Sequence, residues 1–133
     1  MIKGSCLCGE IKYQYTAEIE EVVICHCGQC KLAQGTPFAT NTLIDLSKFE
    51  WIKGKQNLQS YFSSPNKERV FCRSCGSPMY SSRTDLPEVI RLRLGTITEG
   101  HIPEPSYQIY CNSVSKWFRL NDQNPKFEEN KTW

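Results

Sequence analysis

Cysteine is the residue type in this sequence whose number and spacing point most directly to chemistry. The chain has eight cysteines among 133 residues, and seven of them fall in three tight groups. The groups are Cys6-Leu7-Cys8, Cys25-His26-Cys27-Gly28-Gln29-Cys30 and Cys72-Arg73-Ser74-Cys75. Because thiolates bind soft or borderline metal ions, paired cysteines at these spacings predict metal binding.

Zinc is the metal that this pattern favours. Tetrahedral thiolate sites hold zinc or iron–sulfur clusters, and iron–sulfur is the minor alternative because the ferredoxin spacings are absent. In a C-x-x-C turn both sulfurs can converge on one ion with Zn–S bonds of about 2.3 Å. A C-x-C segment needs a bent backbone for the same purpose, since residues i and i+2 of a strand stand roughly 6.6 Å apart.

Two other uses of cysteine fit the sequence less well. Disulfide frameworks are typical of secreted chains, and no apolar stretch of signal-peptide length follows the first residues. Eight buried thiols acting as small hydrophobic residues would account for the isolated Cys111 but not for three paired groups. We therefore expect a cytoplasmic protein whose cysteines stay reduced and bind metal.

The number of cysteines predicts two metal ions of different kinds. Cys6-Leu7-Cys8 can share one ion with Cys72 and Cys75, which would join distant parts of the chain. The three cysteines between residues 25 and 30 can hold a second ion, and a zinc with three protein ligands keeps one position open for a reactant. Either Cys111 or His26 could close that position. If the chain is extended at His26, its side chain points away from the neighbouring cysteines and supports the site instead.

The composition excludes several classes of protein. At 133 residues, we expect residues 1–133 to form a single zinc-binding domain. Hydrophobic residues make up 39% and charged residues 23%, and no run approaches the roughly 18 apolar residues of a membrane-spanning helix. Sixteen basic and 14 acidic residues leave a formal charge of +2, far from the basic excess of a nucleic-acid-binding protein. We therefore expect neither a membrane nor a nucleic acid as partner.

Strands are the elements that must position the cysteine groups. Apolar and polar residues alternate at 11–15 and 90–94, the period of half-buried strands. Four shorter runs rich in β-branched or aromatic residues predict further strands at 22–24, 38–44, 58–62 and 107–111. Residues 30–34 can form one helical turn, and the polar segment 121–133 is expected to fray. The sequence thus predicts a mainly β protein.

The cysteine groups and their neighbours resemble the glutathione-dependent formaldehyde-activating enzyme family, which includes the centromere protein V relatives. The resemblance is ordered along nearly the whole chain. It runs through the segments Gly4–Gly9, Cys25–Lys31, Gln34–Phe38, Arg69–Ser77 and Gly95–Ile97. Three metal motifs at the right mutual spacing make this a specific signal.

The resemblance implies a fold and a set of metal ligands. The fold is a twisted, mainly antiparallel β structure of the Mss4-like type, organised around two zinc ions per chain. The implied ligands are Cys6, Cys8, Cys72 and Cys75 for a structural zinc, and Cys25, Cys27 and Cys30 for a second, open zinc. Where Cys111 stands the family usually has an apolar residue, so we expect a buried thiol there that does not bind metal.

The resemblance also implies an activity, the making and breaking of a carbon–sulfur bond. The family combines glutathione with formaldehyde to give S-hydroxymethylglutathione, and an open zinc can acidify a thiol or polarise a carbonyl. We expect glutathione or a similar small thiol as partner, with Lys31, Arg69 and Arg73 as candidate cations for its carboxylates. The alternative function is a non-catalytic zinc module that carries glutathione or binds a protein partner.

Two departures from the family pattern bear on the substrate rather than on the zinc sites. Gln108 stands where the family often has histidine, and Thr98 stands where it often has aspartate. The sequence therefore predicts the zinc ligands more specifically than it predicts the substrate.

Overall fold

A computed structural model describes residues 1–119 and 124–129. Part of the segment 121–133, for which the sequence predicts fraying, lies outside these residues. Within them the chain forms eleven strands, one α-helix (α1, Gly28–Gln34) and four short 3₁₀ turns. The strands are β1 Ile2–Ser5, β2 Lys12–Tyr15, β3 Val23–Cys25, β4 Ala39–Asp45, β5 Phe49–Lys53, β6 Leu58–Ser64, β7 Lys67–Cys72, β8 Pro78–Arg83, β9 Val89–Arg93, β10 Ile97–Glu99 and β11 Tyr107–Ile109. The predicted mainly β architecture is confirmed. No helix among the described residues is long and apolar enough to span a membrane.

The strands form two sheets. A four-stranded sheet has the order β10-β1-β2-β5, and a seven-stranded sheet has the order β11-β3-β4-β9-β8-β7-β6. Neighbouring strands are antiparallel, apart from β11, which pairs in parallel with β3. The chain thus returns after β10 to add β11 beside β3, the strand that ends in the second cysteine group.

The main hydrophobic core takes residues from both sheets. Tyr13 of the four-stranded sheet is 1% exposed, and it shares the core with Ile44 and Leu92 of the seven-stranded sheet. The Tyr13 ring stacks on Phe49 with centroids 5.1 Å apart, and its hydroxyl lies 2.7 Å from Thr96 Oγ1. This contact satisfies the polar end of the ring, while burial raises the pKa of Tyr13 to about 12.

In strand β9, the alternation of apolar and charged residues correctly predicts which side chains face the core. It does not predict that the charged side chains are also covered. Ile90 and Leu92 are buried in the core, as the period of two predicts. On the opposite face, Arg91 is half-buried and Arg93 is only 5% exposed. The charged face of β9 is therefore largely covered and does not face open solvent.

Helix α1 is longer than the single turn predicted from the sequence. It begins after Cys27, whose sulfur accepts a hydrogen bond from the Cys30 backbone N–H at 3.3 Å. It ends at Gly35, which has a left-handed φ of 65° and donates its N–H to the Lys31 carbonyl. A side-chain cap at one end and a glycine at the other set its length.

The structure corrects the expectation for Cys111. Strand β11 ends at Ile109, two residues earlier than predicted, because Tyr110 adopts a left-handed φ of 55° that breaks the extended run. Cys111 then lies in a 3₁₀ turn with its side chain exposed. The expectation of a buried thiol at this position is wrong.

Gly54, between β5 and β6, shows how closely the chain packs against the loop between β1 and β2. It is buried with a φ of 80°, and a Cβ there would overlap the backbone carbonyl of Glu10. Both the backbone conformation and the space require glycine.

We expect Gly54→Ala to lower the free energy of unfolding by at least about 2 kcal/mol, because strain and overlap act together. The matched control is Gly95→Ala, since Gly95 has no left-handed φ and no heavy atom within 4 Å of its Cβ position. Urea unfolding of both variants measures the effect. Equal unfolding midpoints for the two would contradict this account.

Candidate functional site

Four cysteines from two loops bring their sulfur atoms together at one point. Cys6 and Cys8 follow β1, while Cys72 ends β7 and Cys75 lies in the turn before β8. All four sulfurs lie within 4.8 Å of one another, with Cys6 and Cys8 3.6 Å apart and Cys8 and Cys72 3.8 Å apart. A tetrahedral ion with metal–sulfur bonds of about 2.3 Å needs sulfurs about 3.8 Å apart. The donor set and its spacing therefore fit one tetrahedral ion.

Both loops of this group contain a turn closed by a glycine. A glycine follows the second cysteine of each loop, and Gly9 and Gly76 have left-handed φ values of 79° and 78°. Their N–H groups donate back to the carbonyls of Cys6 and Cys72, at 3.2 and 2.8 Å. These turns curl the backbone so that both thiols of each loop point inward.

Hydrogen bonds to sulfur prepare this group to bind a cation. The N–H of Ile11 donates to the Cys6 sulfur, and the Asn57 side-chain amide donates to the Cys72 sulfur, both at 3.3 Å. Burial would raise the pKa of Cys75, but hydrogen bonds from Ser77 and from neighbouring groups outweigh it and lower the pKa to about 5. The thiolate form that metals require is thus favoured at Cys75. At Cys8 the backbone hydrogen bond at Glu10 is outweighed by burial and by hydrogen bonds with the other three cysteines, which raise its pKa to about 12.

The second group is built where β3 meets α1. Cys25 is the last residue of β3, Cys27 caps the helix and Cys30 lies in its first turn. Their three sulfurs lie within 4.8 Å of one another, so this group can also hold a metal ion. Cys25 and Cys30 are buried and Cys27 is half-buried, which leaves Cys27 as the ligand nearest to solvent.

The protonation of this group is uneven. Burial raises the pKa of Cys25 to about 12. For Cys27, burial also raises the pKa, but hydrogen bonds from Cys30 and Cys25 and the positive charge of Arg69 outweigh it and lower the pKa. Cys27 therefore loses its proton more readily than Cys25.

Neither residue considered as a fourth ligand joins this group. Among the described residues, the histidine, cysteine, aspartate and glutamate side chains close enough to share an ion here are Cys25, Cys27 and Cys30 alone. His26 is buried on another side, where its Nε2 lies 2.7 Å from Gln108 Oε1 and its ring packs against Phe38. The predicted supporting role of His26 agrees with this placement, and Cys111 is free and exposed.

A cleft of about 830 Å³ opens beside the three-cysteine group. Its lining contains one acidic residue, Glu21, whose carboxylate accepts a hydrogen bond from the Tyr107 hydroxyl at 3.0 Å. The cationic lining residues are Lys67, Arg69, Arg83, Arg91 and Arg93. The cleft is therefore suited to an anionic molecule.

Of the three cationic residues named from the sequence, the structure places Arg69 in the cleft. The ammonium of Lys31 donates to the Ser113 carbonyl at 2.7 Å, and Arg73 is exposed beside the four-cysteine group and donates to the Gln56 carbonyl at 3.4 Å. Neither Lys31 nor Arg73 lines the cleft.

Sequence reasoning missed two kinds of functional residue. Arg91 and Arg93 alternate with core residues and so resemble the solvent face of a strand, although a sheet edge or helix can cover such a face. Asn57 carries no motif, and its bond to the Cys72 sulfur arises because the 3₁₀ turn before β6 lies beside the end of β7. The one available signal was that Arg91 and Arg93 share a strand face, which concentrates positive charge.

We expect Cys72→Ser to cause gross unfolding or to lower the melting temperature by at least about 10 °C, because structural zinc sites contribute about 10–16 kcal/mol. The control Cys111→Ser should keep both metal ions and a wild-type melting temperature, since this thiol touches neither group. Metal analysis and thermal unfolding of the purified variants measure both effects. A Cys72→Ser variant with full metal content and unchanged melting would contradict the assignment.

Comparison with known proteins identifies a matching family and a similar protein. The family model for the glutathione-dependent formaldehyde-activating enzyme matches residues 1–113. An uncharacterized lyase of Schizosaccharomyces pombe is 29% identical over 83 residues, which cover 62% of this chain and 58% of that protein. The match therefore spans less than two thirds of the length of that relative.

A solved structure supports the fold. The crystal structure of a Rhodobacter sphaeroides protein, a Northeast Structural Genomics target, superposes with a TM-score of 0.61 at 26% sequence identity. The superposition covers 80% of this chain and 98% of that one. Since the family model extends over both cysteine groups and the strands that carry them, the chain belongs to the glutathione-dependent formaldehyde-activating enzyme family.

Proposed function

We propose that residues 1–133 act as a single zinc-binding domain and as a carbon–sulfur lyase-type enzyme. Its substrate is a glutathione, or similar thiol, adduct of formaldehyde or another small aldehyde. The observation that carries this proposal is the three-cysteine group, which lines a cationic cleft and finds no fourth ligand among the described side chains. Three protein ligands and an accessible position are the arrangement of a catalytic metal site.

Zinc suits both groups. The donors are all thiolates, which favour soft or borderline ions, and the sulfur spacing of the four-cysteine group matches tetrahedral geometry. When bound at Cys25, Cys27 and Cys30, a zinc ion would acidify a thiol at its fourth position or polarise an aldehyde carbonyl. All eight cysteines are free of disulfides, which suits the reducing cytoplasm.

The residues around the open group prepare it for a thiol. Arg69 is held in place by its Nε, which donates to Ser63 Oγ at 3.1 Å, and by an Nη2 contact of 3.4 Å with Gln29 Oε1. From there its charge helps to lower the pKa of Cys27. Arg69 thus favours the thiolate form of the most accessible ligand and also offers positive charge to an incoming anion.

We expect metal-loaded protein to bind glutathione at least about tenfold more tightly than S-methylglutathione, because only a free thiol can give a thiolate to the metal. Cys27→Ser should remove most of that difference while keeping the fold, since the four-cysteine group is unchanged. Calorimetric titrations of wild type and variant measure it. Equal affinity of the wild type for both compounds would mean that the thiol is not the anchor.

Turnover separates an enzyme from a carrier. We expect catalytic amounts of the loaded protein to speed the interconversion of glutathione and formaldehyde with S-hydroxymethylglutathione, and Cys27→Ser to abolish the acceleration. Exchange rates measured by NMR against the uncatalysed reaction test this. Tight binding of glutathione without any acceleration would favour the non-catalytic carrier instead.

A further inference from the structure

Unpartnered buried polar atoms are concentrated in the cleft. Six such side-chain atoms occur among the described residues, and four of them belong to residues that line the cleft. These four are Arg69 Nη1, Ser81 Oγ, Arg91 Nη1 and Arg93 Nε. A buried donor without a partner costs about 1–3 kcal/mol of stability, and more when it is charged. A ligand that accepts hydrogen bonds would therefore stabilise this cluster of donors.

The register of the seven-stranded sheet places three of these groups in one row. Arg69 of β7 lies opposite Ser81 of β8, and Ser81 lies opposite Arg91 of β9. Strands are about 4.8 Å apart, so the two arginines flank the serine hydroxyl on one face of the sheet. Arg93 lies two residues further along β9 on the same face as Arg91.

Two of these side chains are almost fully enclosed. Ser81 is 1% exposed and Arg93 is 5% exposed. Arg93 donates one guanidinium nitrogen, Nη1, to Asn41 Oδ1, which fixes the plane of the group, while its Nε keeps no partner. The floor of the cleft therefore contains two enclosed donors, Ser81 and Arg93, and the Arg93 guanidinium is held by Asn41.

The positive charges here are not neutralised by protein carboxylates. Among the described residues, no acidic group lies within ion-pair distance of Lys67, Arg69, Arg91 or Arg93, whereas Arg83 is paired with Asp85 at 2.6 Å. Burial, followed by the charges of Arg91, Arg69 and Arg93, outweighs the opposing charge of Cys30 and lowers the pKa of Lys67. The thiolates of the three-cysteine group offset part of the positive charge at Arg93, and an anion lying between the cations would offset more.

We infer that Arg91, Arg93, Ser81 and Lys67 form a carboxylate-binding subsite at the floor of the cleft. The subsite makes the protein select thiols that carry an acidic group away from the sulfur, and it rejects neutral or cationic thiols. Planar guanidinium groups match the two oxygens of a carboxylate, and the serine hydroxyl adds a further donor. This inference rests on the proposed function only in taking the ligand to be a thiol.

The size of the cleft agrees with such a ligand. A volume of about 830 Å³ lies at the upper end of ordinary small-molecule sites and accommodates a short peptide. One end of the ligand would lie at Cys27, and its acidic end would lie on the row formed by Ser81 and Arg91. The three-cysteine group would thus bind the sulfur end of the ligand, and the row formed by Ser81 and Arg91 would bind its carboxylate.

The test uses S-methylglutathione, which keeps both carboxylates and lacks a free thiol, together with its dimethyl ester. Binding to the metal-loaded protein is measured by calorimetry for wild type, Arg91→Gln and Lys67→Gln. Lys53→Gln is the matched control, because Lys53 is exposed at the end of β5 in the other sheet. Metal content and melting temperature are recorded for every variant.

We expect Arg91→Gln and Lys67→Gln each to weaken S-methylglutathione binding at least about fivefold, and Lys53→Gln to change it less than twofold. Wild type should bind the dimethyl ester at least about tenfold more weakly than the acid. Arg91→Lys should recover part of the affinity, since it keeps the charge but not the fork of donors.

Two results would overturn the subsite. One is a dimethyl ester that binds wild type as tightly as the acid, a result that needs no variant to fold. The other is an Arg91→Gln or Lys67→Gln protein with wild-type metal content and melting temperature whose affinity for S-methylglutathione is unchanged. Because the ligand has no free thiol, these outcomes are independent of whether glutathione binds through its sulfur.

Discussion

The convergence of thiols from Cys6-Leu7-Cys8 with those of Cys72 and Cys75 is the constraint on which the rest of the structure depends. The first pair follows β1 of the four-stranded sheet, and the second lies between β7 and β8 of the seven-stranded sheet. One ion bound to all four sulfurs would therefore join the two sheets at a point beside their shared core. Cys72 lies 64 positions after Cys8, so an ion bound here would supply a link that local structure cannot.

The two faces of the seven-stranded sheet have different surroundings: one packs into the hydrophobic core, and the other lines the cleft. Ile90 and Leu92 of β9 pack into the core shared with the other sheet, while Arg91 and Arg93 point to the opposite face and line the cleft. Core packing of Ile90 and Leu92 thus holds in place the backbone from which both arginine side chains extend into the cleft. The three-cysteine group lies at the edge of this face, where β3 is followed by α1.

The sequence was informative where chemistry depends on residue type and spacing, and less so where it depends on packing. Cysteine spacing predicted the two groups of thiols that the structure brings together, and alternation predicted β2 and β9. Alternation could not show that the charged face of β9 is covered, since burial of Arg93 depends on strands distant in the chain. Cys111 was misjudged because a left-handed Tyr110 ends the strand early, and bulky residues rarely adopt that conformation.

Stepwise removal of metal from the fully loaded protein tests the central claim most directly, that one cysteine group holds the fold together while the other is open. A chelator is titrated while released metal and far-ultraviolet circular dichroism are followed together. The account predicts that one ion leaves first with the β signal unchanged, and that the second leaves only as the fold is lost. Loss of both ions in a single step with the β signal intact would contradict it.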